Sequence, residues 1–168
     1  AYASFVLTLS GEPPLGWMES LRDKIGEMGP SGRLLLACAY AAAGDKKEAQ
    51  KIVGQKSAAL KETPGKNINY DSNLRNSALS LLARTYIDPT GAEAAASAAA
   101  LLKKLKERGR YSTQEGGFSM IALGRWFSAQ PRGGTISGRL VREPGAKTIG
   151  TVGEKERSVA AEGLGSYT

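Results

Sequence analysis

Four polar side chains in a row, Ser112-Thr113-Gln114-Glu115, stand ahead of an apolar run, where they could do chemistry or begin a helix. A serine three residues before a glutamate fits the capping box: the serine oxygen accepts from the N3 amide and the glutamate reaches back to the N-cap amide. Phe118, Ile121, Ala122 and Ala129 then recur at helical spacing, so the stretch reads as a helix start with no catalytic role. The other reactive group is Cys38, the single cysteine, set in an apolar stretch and expected to be a small buried hydrophobe with an inert thiol. Histidine is absent, which removes Ser-His and Cys-His nucleophile pairs, a histidine base and histidine-containing zinc sets. One cysteine allows no internal disulfide and no multi-cysteine metal site. Asp71, Asp88 and Glu115 are scattered, each with a turn or capping role, unlike the paired carboxylates of an α/α-toroid glycosidase. The expectation is a protein without catalytic residues, metal or cofactor, and not an enzyme.

The elements that would position these groups are helices up to about residue 130. Residues 1 to 10 form an apolar helical stretch stopped by Gly11 and Pro13-Pro14. Leu15 to Met28 shows Trp17, Leu21 and Ile25 at intervals of four, and Ser31 is placed to cap the next helix. Its body, Leu34 to Ala43, is apolar on every side and expected to be buried all round. Gly44 suits its C-terminus, and Asp45 with Glu48 caps an amphipathic partner that turns Ala49, Ile52 and Val53 inward.

After a loop from Lys56 to Asn69 with a Pro64-Gly65 turn, the pattern recurs. Asp71 or Ser72 caps a helix bearing Leu74, Ala78, Leu81, Leu82 and Thr85 on one face. Thr90 and Glu93 make a second capping box for Ala92 to Glu107, whose inner stripe is Ala94, Ala98, Leu101, Leu102 and Leu105; Gly109 stops it. Leu36-Ala37-Cys38-Ala39-Tyr40 and Leu82-Ala83-Arg84-Thr85-Tyr86 share a Leu-Ala-x-x-Tyr frame, the mark of helix-pair repeats. Strongly apolar helices alternating with amphipathic ones imply mainly α architecture, antiparallel hairpins forming part of an α/α toroid or a solenoid. Beyond Gln130-Pro131 the pattern changes. Thr135 to Val141 alternates as a strand, Pro144-Gly145 is a turn, and Lys147 to Val152 reads as a second strand. The expected division is a helical region, 1–130, and a short β-rich segment, 131–168, whose two or three strands are marginal alone.

The net charge is +7, and residues 101 to 142 carry nine lysines and arginines against two glutamates, nine minus two, which is the whole excess. Lys103 to Arg108 fall in the last turns of a helix, where cations answer the C-terminal dipole, and no aromatics interleave with them to stack on bases. A solvated helix end is therefore expected, not a nucleic-acid groove. No stretch approaches the roughly 18 uninterrupted apolar residues of a membrane span, so membrane insertion by this segment is not expected.

Four segments in order resemble one family. Tyr111-Ser112-Thr113-Gln114-Glu115, with Ile121-Ala122-Leu123 and an aromatic pair behind it, resembles the last helix of the thioester domain of bacterial alpha-2-macroglobulins. Tyr70-Asp71-Ser72-Asn73-Leu74-Arg75-Asn76-Ser77-Ala78 is similar to the Tyr-x-Ser-x-x-Arg-Asp-x-Ala stretch of an earlier helix there. Leu34 to Val53 resembles its apolar helix, Gly-Asp, Lys/Glu-rich helix pair, and Ala1-Tyr2-Ala3 through Gly11 resembles its Ala-Tyr-Ala-x-x-Val-Leu helix. The resemblance implies the second half of that domain's helical toroid and the start of the β-domain after it. It implies a broad-spectrum protease-trapping inhibitor of the bacterial envelope or periplasm, whose partners are target proteases and the other domains of the parent chain. The family's thioester comes from a Cys-x-Glu-Gln motif. Cys38 is followed by Ala39-Tyr40-Ala41, so no thioester is expected in this chain. A free-standing helical-repeat adaptor is the alternative, and it would end in a polar capping helix where this chain passes into strands.

Overall fold

The computed structural model describes residues 1–55, 72–108, 110–131, 138–142 and 147–152, and the chain divides into two compact units, Ala1–Gln130 and Pro131–Thr168. The first is helical: α1 (Tyr2–Leu9), α2 (Leu15–Asp23) with a 3-10 turn at Ile25–Glu27, α3 (Pro30–Ala42), α4 (Lys46–Gly54), α5 (Asn73–Ile87), α6 (Ala92–Glu107) and α7 (Thr113–Ser128). The loop expected over Lys56 to Asn69, with Asp71 and the Gly109 stop, lies outside the described residues.

Two helix ends use the same device. Gly11 (φ +92°) and Gly44 (φ +95°) take the left-handed conformation after α1 and α3. Behind them Glu12 donates to the Leu7 carbonyl at 3.0 Å and Asp45 to that of Tyr40 at 2.9 Å, closing Schellman turns. Helix starts vary more. Pro30 opens α3 as its first residue, where a missing N–H costs nothing, with Gly29 as N-cap. Ser31 is therefore not the cap; it lies inside the first turn, and its hydroxyl donates to Asn76 Oδ1 at 2.6 Å.

The odd-numbered helices pack in a row, α1 on α3, α3 on α5 and α5 on α7, while α4 rests on α3 and α5 and α6 on α5 and α7. Within the row α3, α5 and α7 run parallel. Ser31 meets Asn76, and Cys38 Sγ lies 3.7 Å from the Leu79 carbonyl, so residue numbers rise together along α3 and α5. Along α5 and α7, Ser72 meets Glu115, Arg75 lies over the Phe118 ring and Arg125 over the Tyr86 ring. α6 runs the other way: Arg84 pairs with Glu93 beside the α5–α6 turn, and Lys104 Nζ donates to Ser77 at 2.7 Å toward the far end.

Burial follows from this layering. Leu35 to Ala41 is buried without interruption on α3, and α5 buries Leu74, Arg75, Ala78, Leu79, Leu81, Leu82, Ala83 and Thr85, because each of these helices has neighbours on several sides. The fully buried leucines of the core, Leu36, Leu79, Leu81, Leu82 and Leu101, contribute about 1.5–3 kcal/mol each relative to exposure. Small side chains such as Ala37, Ala78 and Ala98 let the backbones approach closely.

Three expected stripes are shifted. On α2 the buried residue is Met18, and Trp17 is 75% exposed; the helix ends at Asp23 and turns Met18, Leu21 and Ile25 (spacing i, i+3, i+7) toward the core. On α6, Leu102 is exposed while Ala94, Ala98 and Leu101 are buried. On α7, Ala122 and Ser119 are buried and Phe118 is half-buried, but Ile121 is exposed on another side of the helix, and Ala129 is exposed as the C-cap past its end.

In the second unit, β1 (Gly138–Arg142) and β2 (Lys147–Val152) pair antiparallel, Gly138 opposite Val152 and Arg142 opposite Lys147, with a bulge between Leu140 and Val141. Thr135 to Ser137 of the first expected strand and the Pro144-Gly145 turn lie outside the described residues.

Candidate functional site at a junction of three helix ends

Ser112, in extended conformation, caps α7: its Oγ accepts from the Glu115 N–H at 3.2 Å, and Glu115 Oε2 accepts from the Ser112 N–H at 2.8 Å. Both halves of the capping box are present. The same carboxylate does more. Ser72 caps α5 by accepting from the Arg75 N–H at 3.1 Å, and its hydroxyl donates to Glu115 Oε1 at 2.9 Å. The guanidinium of Arg108, the residue that ends α6, donates to that oxygen at 3.0 Å. Glu115 thus joins the starts of α5 and α7 to the end of α6, and it is only 5% exposed.

Burial by itself pushes the Glu115 carboxyl up. The Ser112 N–H, the Ser72 and Ser112 hydroxyls and the Arg108 charge outweigh it and hold the carboxyl below its ordinary value. A carboxylate so held, with three donors on it, is a poor proton acceptor, so its chemistry is that of a clasp. Arg75 is buried beside it, its guanidinium 4.8 Å from the Phe118 ring centroid, a cation–π contact one helical turn further along the same seam. Ser72, Arg75, Ser112 and Glu115, singled out separately in the sequence, therefore occupy one seam. Thr113 and Gln114 fill the first turn of α7, Thr113 exposed and Gln114 half-buried; Tyr70 lies outside the described residues.

The other expected caps divide. Asp45 Oδ1 accepts from the Glu48 N–H at 3.0 Å, while the Glu48 carboxylate takes the Lys51 ammonium at 2.9 Å. Thr90 and Glu93 form no capping box. The N-cap of α6 is Gly91, without a side-chain hydrogen bond; Thr90 donates its N–H and hydroxyl to Asp88 Oδ1, both at 3.3 Å, and Glu93 turns to Arg84. The reason is the Asp88-Pro89-Thr90 turn, which draws the threonine side chain back toward the aspartate. Asp88, expected in a turn or capping role, is the acceptor that holds Thr90. Its carboxylate lies so close to Gly91 that a Cβ there would stand 2.5 Å from Oδ2.

A cleft of about 450 Å³ opens beside that turn, between the ends of α4 and α5 and the start of α6, with Gln50, Val53, Arg84, Asp88 and Glu93 among its walls. Arg84 and Glu93 pair with one another there, and Asp88 accepts from the Thr90 hydroxyl. Cys38 is buried, and the absence of water around it pushes its thiol far above the usual range. Among the described residues, no group of three or more Cys, Asp or Glu side chains is placed to hold a metal ion, and no helix is long and apolar enough to cross a membrane.

The exposed apolar groups include Leu15 and Trp17 on α2, and two further sets stand on the end helices of the row. Tyr2, Val6, Leu7 and Leu9 are exposed on α1, and Met120 (77% exposed), Ile121 and Phe127 on α7. No family model, no curated protein and no solved structure matches the chain.

Proposed function

We propose that the chain is a helical scaffold and interaction segment of a bacterial alpha-2-macroglobulin-like, broad-spectrum protease-trapping inhibitor, with no thioester of its own. The finer architecture belongs to the same proposal: the helical unit is part of an α/α toroid, the strands after Gln130 open a further β-domain, and the parent resides in the periplasm or envelope. The four ordered segments from Ala1 to Ala129 support the family reading.

One structural observation carries the scaffold role. The row α1, α3, α5, α7 is covered on its flank by return helices but ends on apolar faces, Val6 and Leu7 at one side and Met120, Ile121 and Phe127 at the other. An apolar helix half open to water is the edge of an array that continues against something else. The same α7 face suits a free-standing helical-repeat adaptor, which would bind its partner with the 168-residue chain alone.

A protease-trapping assay on the complete polypeptide encoded around this sequence separates the readings. In a trap, cleavage of a large protein substrate is blocked while cleavage of a small peptide by the same protease continues. That pattern, with no protection by the 168-residue chain alone, is the expected result. Unimpeded cleavage of both substrates by the complete polypeptide would overturn the proposal.

A further inference from the structure

No further inference is drawn: the strongest candidate, the apolar outer face of α7 at Met120, Ile121 and Phe127, already carries the scaffold reading, and nothing in the structure shows what else covers it.

Discussion

The hydroxyl of Ser72 donates to the carboxylate of Glu115 across 2.9 Å, joining the N-cap of α5 to the first turn of α7. The two residues are 43 apart in the chain, yet each serves its own helix start and the other's at once. A local capping device has become a tertiary one, and its energetics should show it.

Ser112→Ala should cost about 0.5–2 kcal/mol, the usual effect of losing a cap. Glu115→Ala should cost more, about 1.5–3 kcal/mol, because it removes the buried acceptor of three partly buried hydrogen bonds, from Ser72, Ser112 and Arg108. A purely local box predicts the opposite order. Ser72→Ala and Glu115→Ala should couple by at least about 0.5 kcal/mol in a double-mutant cycle. Urea melts followed by tryptophan fluorescence measure all of these, and additive losses would mean that the clasp contributes nothing.

Acid should release the same clasp. Glu115 titrates lower in the folded chain than in the unfolded one. Its stabilisation is therefore fully present above the unfolded value and is lost as pH falls through the folded value. Glu115→Gln should be less stable than wild type at neutral pH and should lose less on acidification. Parallel stability-against-pH curves for the two proteins would contradict this.

Cys38 should react with a thiol reagent slowly in the native protein and quickly in denaturant. It is fully buried on α3, and its thiolate is suppressed by desolvation. Fast labelling of the native protein, or release of the thiol by methylamine, would contradict an inert buried thiol.

At the start of α6 the expected effect comes from close approach. Gly91→Ala places a Cβ 2.5 Å from Asp88 Oδ2, so the carboxylate must move and loosen its hydrogen bonds to Thr90. The cost should be about 0.5–1.5 kcal/mol. It should largely vanish in an Asp88→Ala background, where nothing is left to collide. An equal cost in both backgrounds would locate the strain elsewhere.

The two sides of the row should respond differently to substitution. Leu79→Ala, in the fully buried seam, should cost about 2–5 kcal/mol, whereas Ile121→Gln, on the open face of α7, should stay within about 0.5 kcal/mol. Comparable losses at both positions would show that the α7 face is already covered in the folded chain.

The helices of the first unit were legible because each carries its own local chemistry. Glycine with positive φ stops α1 and α3, Asp45, Ser72 and Ser112 start α4, α5 and α7, and all-round apolar composition marks α3 as buried. These signals act over one or two turns, and one sequence contains them whole. The Thr90 box failed for a reason of the same range: the Asp88 carboxylate takes the threonine hydroxyl within a single turn, and spacing alone does not rank it against the Glu93 N–H. Which face of a half-apolar helix is buried is a different matter. Met18 in place of Trp17, and Ile121 open to water, depend on which neighbours exist and where they lie. The Glu115 clasp is the fullest instance. The sequence by itself determined that one helix begins at Asp71 or Ser72 and another at Ser112, because a cap needs only the amides that follow it. That the two caps share one carboxylate, with Arg108 closing the third side, was decided by the parallel packing of α5 against α7, which brings together donors no local pattern connects.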